Sequence, residues 1–390
     1  MNRDLLLVKG ASVFFLYLVP VVIVIHNGVA VYGRFAEIIA FISLISAISL
    51  YGQDRKILQD RKEEMNYAIQ VSLLILLIFM LSPLIVIFNP IEGLANLFFI
   101  YLLILMQGVI YLNSAMFKVK GRILLNEMLV GSVKPIIVIF STLVLSFSVL
   151  SFEDNFLTVI LFQLAVLLAY QILYLVRRRV VSVRFEFFNP LRLNSLALLG
   201  LGTVVFNYID VLIAAQFLSY ENVGLYSIGA KIGIVPLVIS SLLYQTLIRR
   251  IREFGKHSVC LIQSIRHQIK TSLTLSFLVY LAFLFASDEV ASKLDLSSQE
   301  LFIVVSLIFL GNISSAGLGP CFMIANIHGY AKRAGIVVLF GLFLIITLSL
   351  IMTPVMGVIG MALSYSVAVF FMNLFVYQLI RAEVGFRYLW

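Results

Sequence analysis

What most constrains this chain is the placement of its positive charges. About twelve apolar stretches, each long enough or nearly long enough to cross a bilayer, are joined by short loops. Alternate loops carry almost all the Lys and Arg: 24 of the 28 basic residues fall on one set of loops and termini. Only Arg34 and Lys293 fall on the other set, and Lys134 and Lys231 lie inside apolar segments. Such a bias sets orientation during insertion, which puts the basic loops and both termini in the cytoplasm. The composition agrees, with 62% hydrophobic and 12% charged residues, where soluble domains carry roughly 45–50% and about 25%. The expected class is an all-α polytopic membrane protein.

A helix needs about 20 apolar residues to span the hydrocarbon core. The pattern predicts spans at 9–25, 32–51, 68–87, 94–116, 125–147 and 157–176, then at 193–217, 223–248, 271–285, 301–325, 334–351 and 355–379. The first and ninth are short, and Pro20 interrupts the first. Asn89-Pro90, Glu153-Asp154-Asn155 and Ser219-Tyr220-Glu221-Asn222 punctuate the pattern. Unbroken apolar runs without alternation exclude a membrane β-barrel. The basic segment 249–270 reads as a helix lying on the inner membrane surface. External loops are short and acidic, so no loop can fold into a soluble domain.

The net charge of +9 serves topology and contact with anionic lipid headgroups, not nucleic acid. Arg3 and Lys9 before residues 11–25 imitate a signal peptide, but an internal repeat argues for retention. Val29-Ala30-Val31-Tyr32-Gly33-Arg34-Phe35-Ala36-Glu37-Ile38 opens the second span. Val223-Gly224-Leu225-Tyr226-Ser227-Ile228-Gly229-Ala230-Lys231-Ile232 opens the eighth. Six spans separate the copies, so the repeat is parallel, about an axis along the membrane normal. The implied architecture is two six-helix lobes, residues 1–185 and 186–390, facing one another across a cavity.

Ionisable groups at membrane depth are expensive and are functional candidates by default. Glu37, Glu127, Lys134, Asp210 and Lys231 qualify. At about 1.5 Å per residue, Glu37, Asp210 and Lys231 share a layer roughly 10 Å below the external face. Asp210 and Lys231, on consecutive spans, can form a structural ion pair. Alternatively, Glu37 and Lys231, matched by the repeat, can face the cavity and pair when the external side shuts. Lys134 lies nearer the midplane, followed by Pro135, which frees a backbone carbonyl. It is the best single candidate for an anion contact, unless it snorkels or pairs with Glu127. Asn207, Gln107, Gln163 and Gln245 can line a polar path, and Gly200, Gly202, Gly311, Gly317, Gly357 and Gly360 read as close-packing or flexing points.

Enzyme signatures are absent. His26, His257, His267 and His328 show no metal spacing, and neither a phosphate-binding glycine loop nor a nucleophile elbow appears. Cys260 and Cys321 form no disulfide framework.

Leu7-Val8-Lys9-Gly10-Ala11-Ser12 leads into the first span and Tyr32-Gly33-Arg34-Phe35 opens the second. With the stretch from Asn222 to Ile232 and the closing Gly357-Val358-Ile359-Gly360-Met361-Ala362-Leu363, the chain resembles the Wzx-type O-antigen flippases. These lie in the exporter superfamily that also holds MATE drug antiporters and the lipid II flippase. The resemblance covers essentially the whole chain. It implies a MATE-like fold in a bacterial inner membrane, with two bundles alternating between inward-open and outward-open forms. The implied cargo is an oligosaccharide repeat unit on undecaprenyl pyrophosphate, moved from the cytoplasmic to the periplasmic leaflet. Some members are thought to couple this to a proton or sodium gradient; no bound cofactor is implied. Implied partners are the lipid-linked oligosaccharide, membrane lipids and other polysaccharide-assembly proteins.

On this reading Lys134, Lys231, Lys118, Arg122 and Arg34 contact substrate, while Glu37, Asp210 and Glu127 couple or gate. The chain departs from the cationic lumen of the family, with three intramembrane carboxylates against two ammonium groups. The pyrophosphate contact then falls to the cytoplasmic mouth at Lys118, Lys120 and Arg122, with Lys134 deeper. Two competing readings remain. A MATE-like, ion-coupled efflux antiporter of small cationic molecules would use Glu37 and Asp210. A membrane polymerase of O-antigen needs large external loops with basic residues, which this chain lacks.

Overall fold

A computed structural model describes residues 3–50, 65–87, 94–119, 122–146, 152–177, 181–182, 195–245, 247 and 259–384. Apolar runs leave their backbone groups no partner but one another, so each becomes a helix. The first span is α1 (Arg3–Asn27), which passes through Pro20 without a break. After Gly28, at φ 88°, comes α2 (Val29–Leu50). The third is divided at Leu81, ahead of Ser82-Pro83, into α3 (Tyr67–Met80) and α4 (Ser82–Ile87). The fourth is α5 (Leu94–Val119) and the sixth α8 (Phe152–Arg177). Between them the fifth span has three parts: α6 (Ile123–Asn126), a π-helical stretch Glu127–Val133, and α7 (Lys134–Ser146). Strands β1 (Met65–Asn66) and β2 (Val181–Ser182) form a two-residue parallel bridge, a minor departure from an otherwise helical chain.

The seventh span is α9 (Ser195–Phe206) and α10 (Ile209–Phe217), parted at Asn207-Tyr208. The eighth is α11 (Tyr220–Gly233), capped by the Ser219 hydroxyl, and α12 (Val235–Gln245). Then follow α13 (Val259–Lys293), α14 (Ser298–Gly317), capped by Ser297, and the short α15 (Cys321–Ile327). The last helix, α16 (Ala331–Leu379), runs into a π turn at Ile380–Val384.

Among the described residues ten helical stretches are long and apolar enough to cross a membrane. One of them, Ala331–Ala382, has 52 residues. At about 1.5 Å per residue that exceeds twice the roughly 30 Å hydrocarbon thickness. It is two spans folded into a hairpin at Gly357, where φ is 58° and a side chain would be strained. The reversal brings Phe340 against Phe375, ring centroids 5.4 Å apart. With the shorter Val71–Met80, the expected twelve spans are accounted for. The chain is an all-helical, multi-pass membrane protein.

Two expectations change. Residues 259–270 are not a separate surface helix but the basic end of α13, continuous with the ninth span; residues 249–258 lie outside the described residues. Leu261, Ile265 and Ile269 form a buried stripe at helical spacing. That apolar face is satisfied by protein instead of a lipid surface. The ninth span is therefore part of a 35-residue helix, not a short one.

The chain divides into two compact units, Asn2–Tyr208 and Ile209–Trp390. The expected boundary at 185/186 lies outside the described residues. Helix α9 belongs to the first unit, where it packs on α2.

Candidate functional site

In the first unit the fifth span carries the site, and Pro135 shapes it. Proline has no N–H to give the carbonyl one turn back. Just before it the helix widens into the π stretch, and the Lys134 N–H bonds the Leu129 carbonyl, five residues back. Isolated π turns of this kind cluster at functional sites. Helix α1 lies against the stretch. Ser12 Oγ bonds the Val8 carbonyl at 2.8 Å and the Glu127 carbonyl at 3.3 Å, and meets Ser132 Oγ at 3.0 Å. Gly131 makes room for it: a methyl group there would overlap the Ser12 side chain.

Lys134 is half-buried. Its Nζ donates to Gln107 Oε1 of α5 at 3.2 Å, and Gln163 Nε2 of α8 donates to the Lys134 carbonyl at 3.1 Å. Lys134 is thus held by neutral amides on two neighbouring spans. The alternative pairing with Glu127 does not form: no ion pair joins them among the described residues, and Lys134 Nζ bonds Gln107 instead. Glu127 is half-buried at the start of that stretch. Of the expected polar path, Gln107 and Gln163 are buried beside Lys134 and Asn207 is exposed, while the side chain of Gln245 lies outside the described residues.

On α2, Arg34 is half-buried and Glu37 is buried, and both have interaction partners. Lys118, in the last turn of α5, and Arg122 are exposed. They lie at the junction of the fourth and fifth spans, whereas Lys134 is in mid-span. Lys120 lies outside the described residues.

In the second unit the break at Asn207-Tyr208 starts a fresh helix, and Asp210 sits in its first turn. Its Oδ1 accepts the Val211 N–H at 2.8 Å and its Oδ2 accepts the Tyr226 hydroxyl at 2.7 Å. A carboxylate at a helix N-terminus also gains from the helix dipole. Tyr365 of α16 stands close enough to interact electrostatically with it. The expected Asp210–Lys231 ion pair is absent. Lys231, half-buried in the last turn of α11, has no hydrogen bond or ion pair among the described residues. The reason is geometric: Tyr226, five residues before Lys231, lies about 140° away from it around the helix and takes the carboxylate. Tyr226 was legible in principle, since the repeat matches it with Tyr32, and both rings are fully buried.

Glu37 belongs to the first unit and Lys231 to the second. Within its own unit, neither Lys134 nor Lys231 makes an ion pair with a carboxylate among the described residues. No cluster of potential metal ligands occurs among the described residues.

No protein-family model and no curated protein matches this chain. Solved structures do. The lipid II flippase MurJ in an inward closed conformation superposes with a TM-score of 0.66 at 13% identity, covering 96% of this chain and 87% of that one. A mutant of the Vibrio cholerae MATE transporter VcmN gives 0.57 at 16% identity, over 98% and 96%. A MOP superfamily transporter from Pyrococcus furiosus, described as having a binding pocket of reversed polarity, gives 0.59 at 16%, over 98% and 94%. At these identities the likeness establishes the fold, which is that of MATE-type polytopic transporters. These neighbours are transporters and flippases, not enzymes.

Proposed function

We propose that this protein is a flippase that moves a lipid-linked oligosaccharide with an anionic pyrophosphate head, such as an undecaprenyl-pyrophosphate repeat unit, across the bacterial inner membrane. The observation that carries the reading is the state of the buried charges. Lys134 is held only by amide and backbone groups and Lys231 has no partner among the described residues, whereas Asp210 already accepts two hydrogen bonds. Uncompensated ammonium groups suit an anionic head, with Lys118, Arg122 and Arg34 as further contacts. The Asp210 carboxylate already engages Tyr226 and a backbone N–H, which leaves it fewer acceptor sites for a cationic drug. Moving a sugar head through bare hydrocarbon would strip its hydration at several kcal/mol per unpaired polar group, so a polar interior supplies the path while the lipid tail stays in the bilayer. No covalent step is needed. Glu37, Asp210 and Glu127 are the groups through which an ion gradient would act.

Reconstitution tests this. Vesicles carrying the protein should move a polyprenyl-pyrophosphate oligosaccharide between leaflets, and Lys134→Ala combined with Lys231→Ala should slow that movement at least about tenfold. Gradient-driven efflux of small organic cations, with no movement of the lipid-linked sugar, would replace this reading by the antiporter.

A further inference from the structure

The first unit contains a second polar locus that the transport groups do not use. Three contacts align α5 and α8 side by side. Lys134 joins Gln107 of one to Gln163 of the other, and further along, the rings of Phe117 and Tyr174 meet with centroids 4.9 Å apart. Residues 57 apart in sequence therefore share a level. One turn before the ring pair, on the same helix faces, stand Asn113 and Gln171. Each is 0% exposed. Among the described residues, both polar atoms of both side chains lack a hydrogen-bond partner, as does the buried Ser114 hydroxyl beside Asn113. The locus lies about 9 Å along the helix from Gln107, at 1.5 Å per residue.

Buried amides without partners are rare, and a group of them at one level calls for an occupant. The donor and acceptor inventory identifies it. A cation would satisfy the two amide oxygens and leave both NH₂ groups bare, and an anion would do the reverse. The two amides make no hydrogen bond to each other, so a molecule that both donates and accepts is the occupant that suits both. The geometry points to a buried hydration site between the fourth and sixth spans, where water bridges Asn113, Ser114 and Gln171. Two to four polar partners, as here, are what an internal water requires. The Phe117–Tyr174 pair closes the site toward the basic end of the helices. It is independent of what the protein carries.

Radiolytic footprinting of the native protein in detergent reads such a site, because hydroxyl radicals born from bound water oxidise the nearest side chains. Phe117 and Phe41 are 1% and 3% exposed, so bulk solvent reaches them equally little. Phe117 should be oxidised at least about fivefold faster than Phe41. The combined Asn113→Leu and Gln171→Leu variant, which removes the polar lining, should bring Phe117 down to the Phe41 rate. Equal rates in the native protein, or a fast Phe117 that persists in the double variant, would overturn the site. The native comparison decides the matter alone if the variant does not fold.

Discussion

Lys134 and Lys231 differ in what holds them, and that difference can be measured. Lys134 is anchored by Gln107, so Lys134→Ala removes a charge and also strips an amide of its partner. Lys231 has no such anchor among the described residues, so Lys231→Ala should leave thermal stability unchanged while slowing transport about tenfold. A large drop in melting temperature would reveal a structural role instead. Neutralising Lys134 should also slow transport more than neutralising Arg249 or Arg250, and equal effects would end its special standing. Asp210 makes the opposite case. Tyr226→Phe leaves Oδ2 buried without its donor, which costs about 1–3 kcal/mol for an unsatisfied group. That loss should appear in thermal unfolding in detergent, and an unchanged melting temperature would mean that another donor takes over.

At the scale of elements, the contact between α1 and the π stretch is the tightest test of the packing. Gly131→Ala forces a methyl into Ser12, and overpacking of this kind typically costs about 1–3 kcal/mol. Ser12→Gly should recover most of that loss, so a double-mutant cycle should show strong coupling where distant pairs simply add. Additive effects would mean that the two helices separate readily. The π stretch also marks where sequence reasoning stops. Pro135 advertised a disturbed helix, but proline is compatible with a kink, a π turn or a clean passage, and α1 passes through Pro20 unbroken. Twelve spans were legible because hydropathy and loop charge act over twenty residues at a time. The partners of Lys134 were not, because Gln107 and Gln163 come from two other spans whose rotation no single sequence specifies. The Asp210–Lys231 pair failed for the same reason: adjacency of spans says little about which face meets which.

For the whole molecule, orientation is the claim that reaches furthest. Cys260 is exposed at the basic end of α13 and Ser292 lies near its other end. A membrane-impermeant maleimide should therefore label a Ser292→Cys variant in intact cells, but Cys260 only after permeabilisation. The reverse pattern would invert the protein and the direction assigned to its cargo. The same helix has a mechanical consequence. Its 35 residues extend about 52 Å, roughly 22 Å beyond the hydrocarbon thickness. That excess is shared between its two ends, and the basic end, residues 259–270, extends about 18 Å, so a 10° rocking would sweep its tip through roughly 3 Å. Any rearrangement that tilts this helix thus becomes a displacement of its basic end, and a spin label at the exposed Cys260 would act as its pointer.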